Sequence, residues 1–215
     1  MEGKLKGNNL GKEVIMFRKF AVLGLLSVSV SVFSADCDLS FDPSSTVLKW
    51  KAFKFTEKTG VEGSFTKVEA LESKSAKSVV LLAEGLKFSI DTASVHTNNP
   101  DRDAKISKFF FGTMKETSKI TGNFRKVKLS GSSGTADLVL KMNGETKTVP
   151  VKFTVADNVK IELKGTVDLN LFRAQKSVDS LNKECNAQHI GKDGKSKLWN
   201  DVEISLNTVL KQSCK

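Results

Sequence analysis

From about residue 136 onward, apolar and polar residues alternate along the chain with a period of two. Ala136, Leu138, Leu140 and Met142 are separated by residues that include Asp137 and Lys141, and Val149, Val151, Phe153 and Val155 alternate with Lys152 and Thr154. Val159, Ile161, Leu163, Val167, Leu169 and Leu171 continue the pattern around Lys160, Glu162, Lys164 and Asp168, and Val202, Ile204 and Leu206 repeat it near the end. Successive side chains of a strand point to opposite faces, so each run has one apolar and one polar face and is a half-buried strand. Asn143-Gly144 and Asp157-Asn158 fall between runs, where tight hairpin turns are needed. Further strands are expected over about 46–55, 61–71, 78–91 and 117–129, which brings the count to eight strands of ordinary length.

Eight meandering strands must hide two raw edges, either by closing into a barrel or by folding into two stacked sheets. The expected fold class is all-β, an eight-stranded antiparallel barrel whose interior can hold one small ligand, with a two-sheet sandwich as the rival. Two long connections interrupt the meander. In 92–116, Asn99-Pro100-Asp101-Arg102-Asp103 reads as an N-cap, a proline at the first helical position and acids in the first turn. One short helix is therefore expected there, after strand three, leading into Ile106, Phe109 and Phe110. The other connection, 172–200, is polar and glycine-bearing.

In an up-and-down barrel the connections after strands three and seven leave from the same rim, so both should cap one mouth. The start of the domain and the end of strand eight then lie at the opposite rim on neighbouring strands. That places Cys37 and Cys214 together and Cys185 apart, so a Cys37–Cys214 disulfide is expected, with Cys185–Cys214 as the alternative. Closing nearly the whole chain is worth about 2–5 kcal/mol if the bridge is unstrained.

Residues 1–35 read as a signal peptide. Arg18 and Lys19 precede the thirteen-residue apolar stretch Phe20 to Val32, and Val32-Phe33-Ser34 suits a peptidase that cuts after Ser34 or Ala35. Thirteen residues make a helix of about 20 Å, too short for the roughly 30 Å hydrocarbon core. Asp36 before Cys37 argues against a lipoprotein. Residues 1–15 are an extended leader, or Met16 is the true start. The expected location is the periplasm or outside the cell, where an oxidising environment permits disulfides, and 36–215 is one domain. Removing 1–35 lowers the net charge from +10 to +7, with 29 basic and 22 acidic residues left. Such a balance favours solubility or attraction to anionic surfaces.

Fourteen Phe, two Trp and no Tyr suit a dry interior. Cys185 and His189, four apart, would complete a zinc set with Cys37 and Cys214 only if all three thiols stayed reduced, so neither a metal nor another cofactor is expected. His96, at a strand end, reads as a hydrogen-bonded rim residue, no serine sits in a nucleophile elbow, and no catalytic residue is assigned. Lys126, Lys128 and the lysines from Lys147 to Lys164 form solvent faces opposite the aromatic ones, which argues against nucleic acid. Inward positions include Trp50, Phe88, Phe124, Leu138, Leu140 and Phe153, with Phe109 to Phe111 and Met114 near a mouth. These fill a core or line a pocket. Three consecutive phenylalanines in a connection favour the entrance to a pocket that takes a lipid tail.

Ile90-Asp91-Thr92-Ala93-Ser94-Val95-His96-Thr97-Asn98-Asn99, then Arg102-Asp103 and Phe109-Phe110-Phe111, resemble the signature of the YceI-like family. Ser45 to Trp50 and Gly60-Val61-Glu62-Gly63-Ser64-Phe65 resemble its first hairpin, and the likeness runs from about 41 to 210. The resemblance implies an exported, lipocalin-like, eight-stranded extended barrel that binds an isoprenoid or other long-chain amphiphile in a hydrophobic tunnel, without catalysis. Many members carry histidines where this chain has Lys54 and Lys105, and lysines there would favour an anionic head such as a carboxylate or phosphate. Lys54, Arg102 and Lys105 are the expected head-group contacts; for Arg102 and Asp103 the structural alternative is a helix-start ion pair that fixes the loop. The expected tail contacts are Trp50, Phe88, Phe110, Met114, Phe124, Leu138, Leu140 and Phe153. The rival functions are a secreted lipid-modifying enzyme with His96 as base and a solid-cored envelope stress interaction protein. Beyond the lipid, the expected partners are a transiently touched membrane surface and, with oligomeric state open, a second copy of the chain.

Overall fold

The structure is a computed structural model that describes residues 36–116 and 118–214; the expected signal peptide, residues 1–35, lies outside the described residues. The strands, in chain order, are β1 (Cys37–Ser40), β2 (Val47–Lys54), β3 (Thr59–Phe65), β4 (Val68–Glu72), β5 (Lys87–Asp91) and β6 (Val95–His96). They continue with β7 (Lys119–Ser130), β8 (Ser133–Met142), β9 (Glu145–Ala156), β10 (Lys160–Asp168), β11 (Asp201–Val209) and β12 (Lys211–Cys214). Among the described residues three α-helices interrupt them: α1 (Val79–Glu84), α2 (Pro100–Lys105) and α3 (Gln175–Glu184).

Ten strands form one antiparallel sheet in the order β4-β5-β7-β8-β9-β10-β11-β2-β3-β6, and β1 pairs with β12 separately. The sheet's two ends meet because only Thr66 and Lys67 separate β3 from β4. One bent strand, 59–72, thus pairs with β2 through its first half and with β5 through its second. The strand beside it bends likewise, with β6 against β3. At the corner Thr66 N–H donates to the Ser94 carbonyl at 3.0 Å and Asp91 N–H to the Lys67 carbonyl at 3.1 Å. Counting each bent pair once, eight antiparallel segments run in sequence order around a closed ring, the expected barrel. The strand count is higher than eight because the corners divide two segments and because β1 and β12 add a pair.

The hairpins form where the turn residues stand. Asn143 (φ 53) and Gly144 (φ 75) both adopt the left-handed conformation that a two-residue turn demands, and Asp157 (φ 51) and Asn158 (φ 61) adopt it in the three-residue loop 157–159. Across the first hairpin Gly63 pairs with Trp50, and a side chain at 63 would place its Cβ 2.3 Å from the indole. A glycine there lets the indole lie over the neighbouring strand.

Two expectations need correction. The segment 78–91, expected as one strand, holds α1 before β5, because the Ser78 hydroxyl accepts from Leu81 N–H and caps a helix that Gly85 ends. The connection 172–200, expected without a helix, contains α3, whose buried side is Val178 and Ser177. The helix expected after strand three is present as α2, capped by Asn99 with Pro100 at its start.

Both long connections cap one mouth, as parity requires. Thr113 Oγ1 donates to Ser177 Oγ at 2.8 Å, and Asn143 Nδ2 donates to the Phe172 carbonyl at 2.8 Å. The opposite end holds α1 and the chain termini of the domain. There Cys37 and Cys214 are cross-strand partners joined by a disulfide, and Cys185 is a buried free thiol. Leu39 exchanges two backbone hydrogen bonds with Ala76, and Leu39, Leu82 and Leu210 form a small core of their own. Val127 N–H, freed where the β7–β8 register shifts, donates to Glu84 at 3.1 Å and anchors the end of α1.

The disulfide spans 177 residues. Replacing both cysteines, Cys37→Ser with Cys214→Ser, is expected to lower unfolding free energy by about 2–5 kcal/mol, read from urea titrations of the oxidised and variant proteins.

Candidate functional site

The inward side chains of the barrel do not meet. They enclose a cavity of about 280 Å³ that runs from Phe41, Leu82 and Leu210 at the disulfide end to Val178, Leu181 and Leu198 under the long connections. Its wall is apolar apart from such residues as Lys49 and Thr208. An engineered apolar cavity of roughly 150 Å³ stays dry and admits benzene, so this larger space is suited to apolar matter.

The alternating strands place the expected tail contacts on this wall. Trp50, Phe88, Phe124, Leu138, Leu140 and Phe153 all line it, and so does Phe110 from the connection after strand three. Phe88 and Phe124 pack at 5.8 Å between ring centroids, and Phe110 meets Phe111 edge-on at 5.0 Å. Met114 is buried in the surrounding core but is not on the wall. The phenylalanine run adopts helical turns, 106–110 and then 111–113, which turn Phe110 and Phe111 to the cavity and leave Phe109 off it. Trp50 Nε1 is buried with no hydrogen-bond partner among the described residues.

Sequence reasoning missed two parts of the wall. α1 contributes Val79, Leu82 and Ala83 and so stops the disulfide end, and α3 contributes Val178 and Leu181 to the other. Trp199 also lines the cavity; its indole N–H donates to the Phe55 carbonyl at 2.7 Å, and its ring lies under Lys197 and Lys58 at 3.6 and 4.9 Å.

At the mouth under the long connections the expected polar residues separate. Lys54, at the end of β2, donates to the Gln188 carbonyl at 3.1 Å and lies 4.4 Å over the Phe55 ring. Lys105, at the end of α2, is half-buried and stands 4.0 Å from Glu184. Arg102 is exposed one turn earlier on α2. Its neighbour Asp103 accepts from Thr97 Oγ1 at 2.6 Å and lies 3.7 Å from His96, so the Arg102–Asp103 pair is not formed. His96 is half exposed, bonds Asn98 at 2.9 Å, and does not line the cavity.

Lys54 and Lys105 bear on the same two groups, Cys185 and His189. The Cys185 thiol is pushed up chiefly by burial, against the pull of Lys105 and Lys54. Burial, then Lys54 and Lys105, push the His189 imidazolium down to about 4. His189 Nδ1 lies 2.9 Å from Asn182 Oδ1, which also accepts from Ser196 at 3.1 Å. That pattern puts the imidazole proton on Nδ1 and leaves Nε2 as a lone pair. With Cys37 and Cys214 joined, Cys185 and His189 lack the other sulfur ligands of a zinc set.

A histidine held neutral in the fold but free to protonate when unfolded stabilises the protein above its unfolded value near 6.5. That contribution fades as pH falls from about 6.5 towards 4, the window set by the lowered value. Urea titrations at pH 7 and 4.5 are expected to show a loss in the native protein that His189→Gln reduces by about 2 kcal/mol, after discounting for solvent screening.

The comparisons agree with this geometry. The YceI-like domain profile matches residues 39–210. A polyisoprenoid-binding domain from Saccharophagus degradans, implicated in plant cell wall breakdown, superposes with a TM-score of 0.58 at 12% identity, over 83% of this chain and 99% of that one. BcnA of Burkholderia cenocepacia superposes at 0.55 with 18% identity, over 80% and 99%. At such identities the likeness is one of fold. No curated relative matches the sequence. With the profile covering all but the ends of the barrel domain, the chain belongs to the YceI-like family.

Proposed function

We propose that this protein is exported, loses residues 1–35 after Ser34 or Ala35, and works in the periplasm or outside the cell as a non-catalytic binder of an isoprenoid or other long-chain amphiphile. The observation that carries the reading is the apolar cavity along the barrel, stopped at one end by α1 and capped at the other by the long connections. Family membership and the printed description of the Saccharophagus degradans domain as polyisoprenoid-binding support it. Trp50, Phe88, Phe110, Phe124, Leu138, Leu140 and Phe153 would contact the tail, with Met114 behind them. Lys54 and Lys105, and Arg102 at the margin, would meet the head. His96, the base a lipid-modifying enzyme would need, stands off the cavity wall.

The driving force is transfer of apolar surface from water. Burying fourteen methylenes at about 0.8 kcal/mol each gives roughly 11 kcal/mol gross, enough after ordering costs for micromolar or tighter binding. Function is then sequestration or carriage, with exchange during a transient contact at a membrane surface.

Native mass spectrometry of the mature protein, purified without detergent, should show an added mass that organic extraction removes and identifies as a chain-like lipid. A protein that carries no such mass and takes none up from added lipid would end the carrier reading. Ala136 lines the cavity, and Ala136→Trp, which fills it, is expected to reduce lipid retention at least tenfold while circular dichroism still reports the sheet.

A further inference from the structure

The charge of the folded domain is unevenly placed. The two long connections, 97–118 and 169–200, carry ten basic and six acidic residues, a surplus of four out of the domain's seven. They meet at one mouth, where Lys54 from β2 and Lys105 from α2 flank Cys185 and His189. The cavity begins beside them, since Trp50 and Ala52, on the same face of β2 as Lys54, Ile106, which follows Lys105, and Leu181, one turn before Cys185, all line it.

Among the described residues, Lys54 is satisfied only by a neutral carbonyl and a ring face. Among the described residues Lys105 has one ion-pair partner, Glu184, at the 4.0 Å limit. Glu57, the nearest acid along the chain from Lys54, is turned away to the backbone N–H of Lys192 at 3.2 Å. His189 is 9% exposed and neutral at pH 7, so it adds no charge of its own. The group therefore holds two ammoniums against one carboxylate at the end of an apolar tube, where displaced water weakens an ammonium's hydration and an oxyanion can restore it.

We propose that this mouth is a head-group site for an oxyanion, a carboxylate or a phosphate monoester, seated between Lys54 and Lys105 with its chain in the cavity. The proposal rests on the lipid-binding reading and adds the chemical class of the ligand. A neutral head of the same chain would leave both ammoniums as they are and gain nothing from them. Arg102, exposed one turn before Lys105 on α2, stands at the margin of this group.

The test compares ligands that share a chain and differ in the head: farnesyl monophosphate against farnesol, and dodecanoate against dodecanol. Trp50 and Trp199, the two tryptophans of the chain, both line the cavity, so their fluorescence reports loading in the mature, delipidated protein. At pH 7 and 0.15 M salt the anion should bind at least tenfold more tightly than its alcohol in one or both pairs. Which pair shows it separates phosphate from carboxylate. Lys54→Gln with Lys105→Gln should bring the ratio close to one. Lys176→Gln, an exposed position on α3, should leave the ratio as it is and so exclude a general surface-charge effect. Equal binding of anion and alcohol, or a ratio that survives the double variant, overturns the head-group site while leaving the tunnel in place. Binding of none of the four ligands overturns both. Should the double variant fail to fold, Lys54→Gln alone must still reduce the ratio.

Discussion

Ring closure through two bent strands is the constraint on which the rest of this structure depends. A flat meander of these segments would expose two edges and one apolar face. By bending 59–72 and 87–96 at the Thr66–Ser94 and Asp91–Lys67 hydrogen bonds, the second and third segments complete the ring in which the last strand, β11, pairs with β2, and the apolar faces turn inward. The diameter of a ring of eight is set by backbone geometry rather than by side-chain volume. Even with Trp50 and eight phenylalanines along its wall, the ring holds more space than they fill, and the cavity is the result.

The two ends of that space are built differently. At one, a disulfide, a backbone exchange between Leu39 and Ala76 and a three-leucine cluster hold α1 across the opening. At the other, polar connections supply helices, aromatic rings under lysines and a neutral histidine. A chain-like molecule with one polar end fits this asymmetry, apolar end towards α1. More than half of the charge surplus, four of seven, sits on the connections where a head group would emerge.

Much of the barrel was legible because period two identifies a strand and its inner face at once: Leu138, Leu140 and Phe153 reached the cavity wall as read. Counting strands placed Cys37 beside Cys214 without any local motif. α1 was hidden because Val79-Val80-Leu81-Leu82 is an apolar run as acceptable to a strand as to a helix, and only Ser78 and Gly85 marked its ends. α3 did leave a signal in an otherwise polar stretch: Ala174, Val178, Leu181 and Cys185 are spaced four, three and four, a helical stripe. The grouping of Lys54, Lys105 and His189 was not legible, since three separate elements bring those residues together. Nor does alternation say whether inward side chains touch, because that depends on the ring's diameter.

The hollow barrel is tested most directly by a crystal structure of the mature protein purified without detergent. The account predicts elongated density along the barrel axis between α1 and the long connections, flanked by Trp50, Phe124 and Leu140, with its polar end beside Lys54 and Lys105. Opposite walls in van der Waals contact throughout, with no space for an alkyl chain, would contradict it.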